Sequence, residues 1–251
     1  MPCRCVVACG ISVIAGVCAL PLKAQAPLAE ATRPRAAISA RELAIPESAR
    51  RHYDRSRIAL LEKKDPEAAV THLRKAIHDY PDYYEAWYLL GVAFIMQKQP
   101  DDAETALRKS AAMSAEQFAP PLLALASLYS DAQRYAEAEP LAAQAIELDD
   151  SLWYAHYELA RARYRLGRAA DALPSARTVA RERPDYPRGR LLLALIQAQV
   201  NRYHDALTHL DAYLLLAPDA PDRPHLLRLQ GELTRAAAAL HTASAATSAP
   251  H

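Results

Sequence analysis

The feature that most constrains this chain is a repeat of 34 residues. Alanines that follow an acidic or polar helix start recur at Ala69, Ala103, Ala138, Ala172 and Ala206, separated by 34, 35, 34 and 34 residues. The units run 50–83, 84–118, 119–152, 153–186 and 187–220, and the second carries one extra residue near Gln117-Phe118. Four of them close on related residues, Tyr80-Pro81-Asp82, Leu148-Asp149-Asp150, Arg183-Pro184-Asp185 and Ala217-Pro218-Asp219. A period of this length means one supersecondary element stacked along an axis.

Each unit holds two helical segments of about thirteen residues, split by breaks such as Lys64-Asp65-Pro66, Gln99-Pro100-Asp101 or Leu166-Gly167-Arg168. Helices this short are marginal in water on their own, so stability must come from stacking on neighbours. Small residues at the eighth and twentieth places, Gly91 with Ala103 and Ala160 with Ala172, allow close helix approach, and Leu90, Leu107, Leu159 and Leu193 fill the space beside them. Pro81, Pro184 and Pro218 stop the second helices, and the Asp after each is expected to cap the helix that follows. After the fifth unit, Asp222 begins a further helix over about 222–240, with Leu226, Leu229, Leu233, Ala237 and Leu240 on one side to cover the last unit.

These residues resemble the tetratricopeptide repeat. The best matches are Trp87, Leu90, Gly91, Phe94, Ala103, Leu107 and Ser110, then Leu122, Leu125, Ala126, Tyr129, Ala138 and Ala145. The resemblance implies an all-α, right-handed superhelical solenoid of five helix-turn-helix repeats plus a C-terminal capping helix, the whole domain spanning 46–240. It also implies that Pro140 and Pro174, both inside second helices, face solvent on the convex side, where a kinked rather than broken helix is expected.

Composition excludes most alternatives. There are only six glycines, and no GxGxxG or GxxxxGK[ST] sequence, so a phosphate-cradling loop has nothing to build on. Hairpin-turn pairs and alternating β-branched runs are missing, which removes the all-β classes. All four cysteines, Cys3, Cys5, Cys9 and Cys18, lie in the first eighteen residues, leaving the body without thiol chemistry. No GxSxG sequence is present, and His204 with His209, or His72 with His78, lack the i, i+4 spacing of a helical zinc pair. The expectation is therefore no enzyme, no cofactor and no metal.

Residues 1–26 read as a signal peptide: an early Arg4, an apolar stretch over 5–22, and Ala24-Gln25-Ala26 before an uncertain cleavage site. An uncleaved membrane anchor is the alternative, since 5–22 is just long enough to span a bilayer. Without residues 1–26 the chain has 28 basic and 29 acidic residues, which gives no electrostatic footprint for nucleic acid. Residues 27–45 read as a flexible linker and 241–251 as a disordered tail.

In the resembled family the first helices line a concave groove, and ligand contacts come from the second, fifth, ninth, twelfth and thirteenth places. In unit four these are Tyr154, Tyr157, Arg161, Tyr164 and Arg165; in unit two they are Glu85, Tyr88, Val92, Ile95 and Met96. Aromatic rings and guanidinium groups are the residue types that dominate binding hot spots, so Tyr88, Tyr154, Tyr157, Arg161, Tyr164 and Arg165 are the candidate groove contacts. Charge is uneven along the array, with a net −5 in unit three against +3 in unit four. Asp54 and Ile58 stand where family members that grip acidic chaperone tails carry Lys and Asn, so that clamp is not expected. The expectation is an exported, periplasmic or envelope scaffold that binds a protein or peptide partner, with a glycan or small-ligand binder as the alternative.

Overall fold

The computed structural model describes residues 44–247, with the side chains of 243–247 excepted. Eleven α-helices follow one another: α1 (Glu47–Leu61), α2 (Pro66–Asp79), α3 (Tyr84–Met96), α4 (Pro100–Met113), α5 (Ala119–Asp131), α6 (Tyr135–Leu148), α7 (Trp153–Arg165), α8 (Ala169–Glu182), α9 (Pro187–Gln199), α10 (Tyr203–Leu216) and α11 (Arg223–Thr247). Among the described residues there is no strand, and no helix is long and apolar enough to cross a membrane. The expected signal peptide over 1–26 and the 5–22 anchor lie outside the described residues, as does nearly all of the 27–45 linker.

The helices form five antiparallel hairpins, α1/α2 to α9/α10, and α11 packs on α10. First helices of successive hairpins also touch (α1 with α3, α3 with α5, α5 with α7, α7 with α9), whereas successive second helices do not pack to a comparable extent. That asymmetry puts the first helices on the inner row and makes an all-α solenoid.

The register alanines explain the tight hairpins. Ala69, Ala103, Ala138, Ala172 and Ala206 all have zero exposure. A Cβ added to Gly91 would sit 2.5 Å from Leu107 Cγ and 3.3 Å from the Ala103 carbonyl oxygen, so the backbone of α3 rests directly on α4. Each intra-hairpin turn places one residue in the left-handed region: Lys64, Lys98, Gln133, Gly167 and Asn201, at φ 51, 59, 60, 80 and 61°. Only one of the five is a glycine, so the others hold a conformation that costs L-residues energy. The extra residue of the second unit is absorbed by two successive left-handed residues, Ala115 and Glu116, and the displaced Phe118 packs 5.2 Å from the Tyr84 ring.

Three expectations need correction. Asp82 and Asp185 do not cap the helices that follow them; the N-cap positions fall on Tyr83 and Tyr186, neither giving a side-chain cap. Those rings are drawn into the core between hairpins, and Asp185 instead pairs with Arg183 at 3.2 Å. Among α1 to α10 the one side-chain cap is Asp65, which accepts from the Ala68 amide at 2.9 Å. Second, α11 continues to Thr247, seven residues into the expected tail, because the alanine-rich stretch after His241 has high helix propensity and no proline before Pro250. Third, Leu226, Leu229, Leu233 and Ala237 are buried but Leu240 is 50% exposed; it lies beside the α9–α10 turn at Asn201–Asp205, past the end of the last hairpin. Pro140 and Pro174 are exposed and leave α6 and α8 continuous.

Candidate partner-binding groove

The inner row divides into two kinds of surface. In the first two repeats the ninth, twelfth and thirteenth groove places are mostly aliphatic, and Ile58, Leu61 and Met96 are 42, 46 and 40% exposed. Tyr88 is half-buried where the Leu90–Phe94 core meets the Leu107–Leu125–Tyr129 core, its ring 5.6 Å from Phe118, and burial pushes its hydroxyl up to about 12.

The fourth repeat is different. Trp153, Tyr154 and Tyr157 on α7 form a ring cluster with Tyr186 at the α8–α9 turn, with neighbouring centroids 5.1 to 5.4 Å apart. Tyr157 is 8% exposed within this cluster. Burial, and then the nearby Tyr186 and Glu158, hold its hydroxyl well above the ordinary tyrosine range, so it stays neutral. Tyr164 packs against the same core.

Arg161 reaches back to the preceding repeat. It donates to Asp131 at 2.9 Å and to the Ser130 carbonyl at 3.3 Å, and it lies 3.5 Å from Glu158 one turn earlier on α7. Burial opposes its charge, but Glu158, Tyr157 and Asp131 outweigh that and keep it cationic. Glu158 is fully buried, and its Oε1 has no hydrogen-bond partner. Burial raises its pKa, and Arg161 opposes the rise. Arg165 places its guanidinium 5.1 Å from the Tyr135 ring.

The structure thus brings Tyr154, Tyr157 and Arg161 together and leaves Tyr88 two repeats away, beside Phe118. Glu158, Asp131, Trp153 and Tyr186 complete the fourth-repeat cluster but are not among the residues expected from sequence. A signal for Glu158 is present: the equivalent sixth places of repeats two and five are Leu89 and Leu192, so a carboxylate there is out of pattern. The charge contrast between units three and four is largely consumed across their junction, where Glu139 pairs with Arg163 at 3.0 Å and with Arg168, and Asp131 with Arg161.

Models of the tetratricopeptide repeat match residues 35–83, 60–119, 123–187 and 157–224, together well over half of the chain. The chain belongs to the tetratricopeptide repeat family. No curated relative matches. Among solved structures, a fragment of MamA from Desulfovibrio magneticus RS-1 is 16% identical, covering 71% of this chain and 99% of its own, with a TM-score of 0.61. PilF of Pseudomonas aeruginosa is 20% identical over 77% of this chain and 88% of its own, at 0.63. YrrB, described as a tetratricopeptide protein with an unusual peptide-binding site, is 18% identical over 70% of this chain and 90% of its own, at 0.58. At these identities the likeness establishes the tetratricopeptide fold.

Proposed function

We propose that the protein is a non-catalytic scaffold of the cell envelope that holds a segment of a protein partner in the concave groove. The observation that carries this reading is the row of aliphatic side chains that repeats one and two leave open at groove places, Ile58, Leu61 and Met96. Apolar side chains held in a row on packed helices offer contact area with little ordering cost on this side of the interface. The described peptide site of YrrB supports a peptide as the kind of ligand such a groove takes. The envelope assignment rests on the signal-like residues 1–26.

The glycan reading is weaker on these grounds. Sugar recognition needs exposed ring faces, and the rings of the fourth repeat are turned onto one another, with Tyr157 buried.

The test is crosslinking and co-purification from envelope fractions with wild-type protein and with the Ile58→Asp/Leu61→Asp variant. The same protein partner captured by wild type and lost by the folded variant supports the reading. Equal capture by both, or retention of glycan in place of protein, contradicts it.

A further inference from the structure

Charge at the groove places is sorted along the solenoid. In repeats one and two those places hold Asp54, Glu62 and Glu85 against the single cation Arg51, and Arg51 lies 4.0 Å from Glu47 on its own helix. In repeats four and five they hold Arg161, Arg165 and Arg188 and no acid. We propose that the segment taken by the aliphatic half of the groove is cationic and amphipathic, with apolar side chains along one side and lysine or arginine beside them. This rests on the groove being the partner-binding face and adds the chemistry of its occupant.

The acids and the open aliphatic side chains share one row. Asp54, Ile58 and Glu62 follow at i, i+4 and i+8 along α1 and its C-cap, and Leu61 lies one turn from Ile58. All four are exposed. Among the described residues, the ion pairs of the first hairpin join only Arg51 to Glu47 and His78 to Asp79, which leaves the Asp54 and Glu62 carboxylates to solvent. Tyr53 reports the same balance from within the hairpin. Burial first, and then Glu85, raise the pKa of its hydroxyl; Arg57 opposes them, and Tyr88 and Asp54 add to the rise. Two carboxylates against one guanidinium make the field at this end of the groove negative.

The helix ends act in the same direction. Leu61 and Met96 are the last residues of α1 and α3, where the backbone carbonyls carry partial negative charge, and neither helix has a basic residue in its last turn. Lys63, Lys64 and Lys98 follow in the turns, and Lys64 lies in a cleft with Asp65 and Glu67. In α7 the last turn carries Arg163 and Arg165. A cation beside an apolar anchor therefore meets opposite charge over repeats one and two and like charge farther along the groove. Complementarity of this kind sets register and the choice of partner more than raw affinity.

The test uses the full chain and two fluorescent peptides of about fifteen residues with leucines at the same helical spacing, one with lysine and the other with glutamate at every polar position. Anisotropy titration in about 50 mM salt is expected to give about tenfold tighter binding of the lysine peptide, with the difference shrinking in about 500 mM salt. Asp54→Lys/Glu62→Lys removes or reverses the preference. Glu147→Lys/Glu232→Lys, an equal change of charge outside the groove places, keeps it. Leu61→Gln/Met96→Gln weakens the lysine peptide about fivefold or more. All six positions are exposed, so the variants keep the fold, which circular dichroism checks.

Equal affinity for the two peptides, binding of neither, or a preference that survives Asp54→Lys/Glu62→Lys or is lost equally in Glu147→Lys/Glu232→Lys overturns the proposal. Equal affinities that both fall in Leu61→Gln/Met96→Gln remove the charge and leave the groove as the binding face. A lysine preference indifferent to Leu61→Gln/Met96→Gln places binding elsewhere and overturns both.

Discussion

The groove of repeats one and two and the groove of repeats three and four occupy the same places in the same solenoid, yet they differ in what they leave available. Ile58, Leu61 and Met96 are open to solvent. Arg161, by contrast, is held by Asp131, Glu158 and the Ser130 carbonyl, and Tyr157 is closed over by Tyr186. The half that looks chemically richer has turned most of its charged and aromatic groups onto one another. Aliphatic side chains have no polar partner to find within the fold, so they are the ones left for another molecule.

The largest expected effect lies in the self-paired half. Arg161→Ala removes the cation nearest a fully buried carboxylate and is expected to cost about 3 kcal/mol in urea unfolding, the range for breaking one side of a buried pair. Adding Glu158→Leu should recover most of that loss. If the double variant is no more stable than Arg161→Ala, Glu158 is not what makes Arg161 necessary.

Glu158→Leu alone sharpens the contrast further, since repeats two and five already carry leucine at that place. Arg161 keeps Asp131 and the Ser130 carbonyl when Glu158 is replaced, so no cation is left unpaired and loss of the buried carboxylate is expected to be neutral or stabilising, by about 1–2 kcal/mol at neutral pH. The pH dependence has a definite sign. The folded-state pKa of Glu158 is raised above its ordinary 4.5, so the folded state binds more protons than the unfolded one. Its contribution to stability is full below 4.5 and falls as pH rises through the folded value. The difference in melting temperature between Glu158→Leu and wild type should therefore widen from pH 4 toward pH 7; a constant difference contradicts burial as the cause.

A smaller effect separates the turns of the two halves. Lys98 holds φ 59° where the fourth repeat has Gly167 at 80°. Lys98→Gly is expected to gain about 0.5 kcal/mol and Gly167→Ala to lose about 1 kcal/mol, from left-handed strain offset by chain entropy. Thermal or urea unfolding reads both, and loss of stability in Lys98→Gly runs against the account. The smallest expected change is in the open half itself: Ile58→Asp should alter stability by no more than about 0.5 kcal/mol, as for an exposed position. A loss of several kcal/mol would show that Ile58 belongs to the core.

Most of the fold was legible because its determinants are local or strictly periodic. Ala69 to Ala206 mark the hairpin contacts in one dimension, and Gly91 opposite Leu107 follows from their places in a single unit. Much of the groove was not legible, since its decisive contacts join residues about 30 apart that meet only when hairpins stack. Arg161 finds Asp131 in that way, and Tyr186 covers Tyr157 from the α8–α9 turn at the far end of its own unit. The expected aspartate caps failed for a related reason: Tyr83 and Tyr186 take the N-cap positions because their rings are drawn into the core between hairpins.

The central claim is that a partner meets the aliphatic half of the inner row and not the self-paired half. Site-specific photo-crosslinkers at Leu61 and, in a second protein, at Arg165, activated in intact cells, test it directly. The account predicts a discrete protein adduct from Leu61 and little from Arg165; strong adducts from Arg165 with none from Leu61 would contradict it.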